Sequence, residues 1–159
     1  MGAAYFYHLT RGPLEGTLAM LLDKARGAGW RVAVRGPDAA RMDALDASLW
    51  TAGGEDAFLA HGRAGQPHEA DQPILLTTGA DMPNGATCLM AVGGAAVAPD
   101  EVARLDRVCV LFDGNDDAAI AHARIQWKAL SDAGCAAQYW SEASGRWEKK
   151  AESAPASGT

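Results

Sequence analysis

The sequence predicts a three-layer α/β/α fold, with a mostly parallel sheet between two helical layers. Three observations carry this. Apolar runs of strand length alternate with segments of helical period, the pattern of βαβ units. Two of the runs, ILL within 73–78 and VCVLF within 107–112, are continuously apolar, as in strands covered on both faces. Hydrophobic residues make up 48 % of a 159-residue chain, enough for one core.

The elements follow in order. Residues 3–9 are rich in aromatics and read as a first strand, closed by Arg11-Gly12-Pro13. Pro13 suits the first position of a helix. Leu14, Leu18, Leu21, Leu22 and Ala25 then recur at i, i+4, i+7, i+8 and i+11, one apolar helical face. Gly27 and Gly29 end that helix, and 30–35 is a second strand. Gly36-Pro37-Asp38 opens a helix carrying Met42, Leu45 and Leu49 on one side. Residues 51–72 hold four glycines, Pro67, His61 and His68 without sustained period, and read as a long irregular connection. Strands are expected at 73–78 and 87–92, broken by Gly93-Gly94, then a short helix at 99–104 and a buried strand at 107–112. Residues 116–133 form the longest helix, with Asp116 and Asp117 at its positive end and Gly134 as its stop. A last strand is expected at 136–140. The domain spans 1–150, and 151–159, rich in Ala, Ser and Gly, reads as a disordered tail.

Composition removes several classes of function. No run of about 18 apolar residues occurs, and 1–13 reads as a strand, not a signal peptide. Cys88, Cys109 and Cys135 form no CxxC and read as small buried hydrophobes, suited to a reducing cytoplasm. Acids outnumber bases 20 to 14, a net charge of −6. A protein that grips phosphate through counterion release needs clustered cations, so direct DNA binding is disfavoured.

The Rossmann-like order of elements invites a search for a phosphate loop. The turn after the first strand is Thr10-Arg11-Gly12-Pro13, not GxGxxG, and Pro13 removes an amide donor. Neither GxxxxGK[ST] nor GxSxG occurs. The histidines have no metal-binding spacing, so no cofactor and no metal are expected. The alternative reading is a small nucleotide-dependent enzyme, using His8 and Asp113 at the carboxyl edge of the sheet. Asp113 reads more readily as a cap for the helix that follows.

Two features suggest binding. Ile120, Arg124, Trp127 and Lys128 share one face of the long helix, with Ala118, Ala121, Ile125 and Ala129 on the opposite arc. If the small residues pack on the sheet, the Arg–Trp–Lys face looks outward and suits an acidic peptide with an aromatic end. Spacing leaves a second reading open, with Trp127 in the core and the cations as a solvated fringe. Trp50, Phe58, Leu59 and His61 form the other feature, either a flat apolar surface for a partner or a cluster tucked under its own loop.

Several segments, in order, resemble the DNA polymerase III chi subunit family. They are FYHLTRGPLEGTLAMLLDKARGAGWRVAVR, RMDALDASLWTAGGEDAFLAHGRAG, QPILLTTG, VCVLFDG, ARIQWKAL and YWSEASGRWEKK, covering about residues 5 to 150. The resemblance implies an α/β fold without a phosphate loop and a non-catalytic place in the clamp-loader assembly. It implies two partners, the psi subunit and the acidic C-terminal tail of the single-stranded-DNA-binding protein (SSB). By resemblance the tail site falls on Arg124, Trp127 and Lys128. Trp127 stands where some members carry tyrosine, and Ile120 stands where the family has a lysine, which implies one cation fewer. The psi-facing surface falls on Trp50, Phe58, Leu59 and His61, with Ala60 in place of a family proline.

Overall fold

The computed structural model describes residues 3–10, 14–51, 61–65, 67–79, 82, 84–142 and 147–153. They form one eight-stranded sheet with four helices. In chain order these are β1 (Ala3–Leu9), α1 (Leu14–Gly27), β2 (Val32–Arg35), α2 (Ala39–Thr51), β3 (Gly62–Arg63), β4 (Ile74–Thr77), β5 (Cys88–Ala91), α3 (Pro99–Arg104), β6 (Arg107–Asp113), α4 (Asp117–Asp132), β7 (Ala136–Ser141) and β8 (Glu148–Ser153). The strand order is β3-β4-β2-β5-β6-β1-β7-β8. Every pairing is parallel except β7 with β8.

The period of two explains the layering. In β1, Phe6 and Ala4 enter one core while Leu9 enters the other, with Tyr7 packed against it. β5 and β6 alternate likewise, Cys88, Met90, Cys109 and Leu111 against Leu89, Ala91, Val108 and Val110. The first core is closed by Leu18, Leu22 and Ala25 of α1 and by Met42 and Leu45 of α2. The second is closed by Val102 of α3 and by Ala123 and Leu130 of α4. A strand with two apolar faces needs cover on both, and the parallel crossovers supply it.

Two expectations are revised. Of the connection expected to be irregular at 51–72, residues 52–60 and 66 lie outside the described residues, and the remainder carries β3 and a 3-10 turn at Glu69–Asp71. A two-residue strand is too short to show a period. The tail does not begin at 151, because β8 continues to Ser153 beside β7. Its Glu and Lys residues are those of a sheet edge, where charge discourages further pairing.

At the carboxyl end of β2 lies a buried ion pair. Arg35 donates to both Glu101 oxygens, Nη1 to Oε1 at 2.8 Å and Nη2 to Oε2 at 2.6 Å. The two side chains are 6 % and 8 % exposed. Arg35 also donates to the carbonyls of Gly79 and Ala96, and Glu101 Oε1 accepts the Ala98 amide. One guanidinium thus joins the loops after β4 and β5 to α3.

These contacts yield a stability prediction. The hydrogen bonds from Arg35 hold the Glu101 carboxyl below its usual value of 4.5. A depressed folded pKa gives stability that is fully present above the unfolded value and lost as pH falls through the folded one. Urea midpoints should therefore fall as pH drops below about 4.5, and Glu101→Gln should blunt that fall. At neutral pH the same variant should lose about 3–5 kcal/mol, because it strands a buried guanidinium. An unchanged midpoint would show the pair to be dispensable.

Candidate functional site

The rotation of α4 decides what the site can be. Asp116 caps the helix, its Oδ1 accepting the amides of Ala118 at 3.0 Å and Ala119 at 3.4 Å. Ala123 and Leu130 are buried, with Ala119, Ile120 and Trp127 packed beside them. The indole of Trp127 stands edge-on to Phe6, centroids 5.4 Å apart, and to Tyr139 of β7, 6.0 Å apart. Ala118, Ala121, Ile125 and Ala129 are exposed instead. The expectation that this small-residue arc faces the sheet is therefore corrected. Trp127 and Ile120 are half-buried sheet contacts, not a free outward wall.

The cations of the predicted site are outside. Arg124 and Lys128 are both exposed and lie one helical turn apart. Lys128, 76 % exposed, reaches Asp132 Oδ2 at 2.9 Å. Among the described residues Arg124 has no carboxylate partner. Its charge lies near Tyr139, whose phenol is nevertheless raised by burial. The α4 site thus keeps two solvent-facing cations above a seam of half-buried rings. Tyr139 was missed by sequence reasoning, since nothing in the spacing of β7 announces contact with α4.

The second predicted cluster is only partly described. Trp50 ends in the last turn of α2, but its side chain, Phe58 and Leu59 all lie outside the described residues. The His61 ring has no solvent exposure, and its Nε2 lies 2.6 Å from Asp46 Oδ1. In this conformation His61 anchors the chain to α2 and presents no surface of its own.

The carboxyl edge of the sheet holds a cleft of about 790 Å³, lined among others by Leu14, Asp38, Gly93, Asp113, Asp116 and His122. It is a poor phosphate cradle. The α4 amides that would face a phosphate already bond Asp116, and Asp38 and Asp113 add negative charge. Asp113 Oδ1 accepts the Asn115 amide in the turn before α4, so the expectation that Asp113 caps the helix is corrected: the cap is Asp116. His8 does not join Asp113. Leu9 is the residue opposite Asp113, so His8 points to the other face of the pleat. Its Nδ1 meets the Tyr139 hydroxyl at 2.9 Å, and Nε2 lies 3.4 Å from the Gly114 carbonyl. A Cβ on Gly114 would collide with the His8 ring, so glycine is required there. The proposed pairing of His8 with Asp113 in catalysis has no geometric support. Among the described residues no group of three His, Cys, Asp or Glu side chains could hold a metal ion, and no helix is long and apolar enough to cross a membrane.

Comparison with known proteins adds one finding. The family model described as DNA polymerase III chi subunit, HolC, matches residues 1–138 of the 159. No curated protein matches the chain.

The packing of Trp127 generates its own prediction. Trp127→Ala should destabilise the fold by about 2–4 kcal/mol, near the lower range for a core aromatic, because it removes a ring wedged between Phe6 and Tyr139. Trp127→Tyr should recover most of the loss. Thermal unfolding of both variants checks this; a parent-like alanine variant would mean the ring contributes no packing.

Proposed function

The chain belongs to the DNA polymerase III chi subunit family, and from that membership we propose that it works as a non-catalytic tether. As a chi subunit it is an accessory component of the replicative polymerase. In the proposed reading, α4 captures the acidic C-terminal tail of SSB. The region from Trp50 through Phe58 and Leu59 to His61 attaches the protein to the psi subunit of the clamp loader. The tether acts in the cytoplasm, needs no cofactor and reaches nucleic acid only through SSB.

One observation carries the tail reading. An acidic chain, net −6, sets two exposed cations one turn apart on a single helix face, and Arg124 has no internal carboxylate partner among the described residues. Unpaired surface cations attract carboxylates, and a guanidinium holds one in bidentate geometry. Lys128 supplies a second, point-like charge. Ile120 and Trp127 contribute their solvent-facing rims and the rigid seating of the helix. Surface pairs of this kind are individually weak. SSB presents several tails along one strand, so effective concentration multiplies a modest contact.

The psi reading is supported by family membership and by the tie between His61 and Asp46. That tie holds His61 to Asp46 of α2, the helix that also carries Trp50. A buried, paired histidine is a support for such a surface, and Trp50, Phe58 and Leu59 would provide the contact area.

Titration of the full chain with an SSB tail peptide tests the main claim. Arg124→Ala should weaken binding by about 1–3 kcal/mol, the range of many hot-spot truncations. Asp132→Asn should act in the opposite sense, tightening binding by less than about 1 kcal/mol, because it frees the Lys128 ammonium from an exposed pair. Added salt should weaken the complex throughout. Equal affinity for the parent and Arg124→Ala would sink the assignment of the site.

A further inference from the structure

The amino edge of the sheet carries a groove of about 630 Å³, outside both proposed partner sites. It opens between α3 and the end of α4, where the helical layer thins. α3 has only six residues. α4 stops at Asp132, and Gly134, at φ +83°, turns the chain into β7. The side chains at this corner are small, among them Ala3, Ala103, Ala133 and Ala136. Interiors otherwise pack densely, so two short-sided helix ends leave a space that no side chain fills. Tyr5 and the buried Val102 complete an apolar lining. Ligand sites have this size and this character, largely apolar with a few polar groups.

The polar groups are specific. Asp100, in the first turn of α3, and Asp106, in the turn before β6, both stand on the groove. Both are exposed, and neither pairs with a cation among the described residues. Arg107, next to Asp106 in the chain, instead lies over the rings of Tyr5 and Trp30, 4.5 and 5.1 Å from their centroids. The third group is the half-buried thiol of Cys135, which reaches the Pro99 carbonyl at 3.7 Å. Burial raises its pKa, as expected for a thiol set into the groove.

We propose that this groove binds a small organic cation with an apolar body. The body lies against Val102, Ala103 and Ala136, and the cationic head pairs with Asp100 and Asp106. Charge selects the head, because an ammonium or amidinium answers unpartnered carboxylates, and the net charge of −6 draws cations from a distance. The apolar lining selects the body. The groove shares no residue with Arg124, Lys128 or the Trp50 to His61 region, so its occupancy is independent of the tail and psi readings.

Cys135 supplies the readout. Cys88 and Cys109 are buried, so Cys135 is the accessible thiol of the folded chain. A ligand in the groove shields it from N-ethylmaleimide. The probe is benzamidine, and the control is benzamide, its neutral analogue. Alkylation of the full chain, followed by intact mass, should slow with benzamidine and keep its rate with benzamide. Asp100→Asn combined with Asp106→Asn should raise the half-protecting concentration of benzamidine about tenfold, the scale of one lost charge-assisted contact. Asp117→Asn removes a carboxylate at the opposite end of α4 and should leave that concentration unchanged. Each variant is compared with its own rate without probe, so a change in the thiol itself does not enter. Absence of protection by benzamidine, equal protection by benzamide, or an Asp117→Asn effect as large as that of the groove variant would overturn the proposal.

Discussion

The wedge of Trp127 between Phe6 and Tyr139 fixes everything the long helix displays. A helix carries its side chains at fixed angles, so seating one large ring assigns every other position. With the indole on the sheet, Ala123 and Leu130 must also point inward. Arg124, Ile125 and Lys128 are then turned to water, where Lys128 pairs with Asp132 one turn on. The cations owe their exposure to the aromatic contact beneath them, and binding and packing on α4 are two consequences of one rotation.

That rotation also marks the limit of what the sequence disclosed. The strands were legible because both faces are apolar and the side chains alternate, and α1 was legible because its leucines recur at the helical period. α4 was not, since alanines line one arc and large residues the other, and either arc can face a sheet. The deciding fact lies on the partner surface. The sheet face under α4 sets the small Ala4 and Ala137 among the larger Phe6, Val108, Val110, Phe112 and Tyr139. Interiors pack to near-crystalline density, and Trp127, Leu130 and Ile120 supply the bulk from the helix that meets this mixed surface. That complementarity is invisible until strand order is known. The strand at 148–153 was hidden for a different reason, because the Lys and Glu that protect a sheet edge give it the composition of a tail. The exposed pair of cations was legible as a pair, but not its separation from the tryptophan.

The carboxyl edge of the sheet shows how this fold gives up the chemistry its topology would favour. In open α/β sheets ligands usually sit there, against helix N-termini. Here the α4 amides are taken by Asp116, His8 is held between Tyr139 and Gly114, and Arg35 is spent on Glu101 and two loop carbonyls. Groups that would polarise a substrate elsewhere are consumed as internal ties. The return is a rigid frame, which suits the proposed tether. A fold does not determine a function, and on the proposed reading the binding features lie on a helix surface instead of at the strand ends.

The charge balance completes this logic. Gripping duplex or single-stranded DNA takes many phosphate contacts, each releasing a counterion, and a chain of net −6 is repelled by that polymer at long range. Two cations cannot overcome such repulsion on DNA. They can hold a short acidic peptide, because few charges need matching and an apolar contact can add to them. On the proposed reading, a local cationic row on an acidic body discriminates between the two polyanions gathered at a replication fork, the nucleic acid and the acidic tails of its coating protein. Each contact stays weak enough to release, and the multiplicity of tails restores the occupancy that a single site lacks. On the proposed reading, weakness at α4 is a working property of the tether, and it follows from how little positive charge the chain sets there.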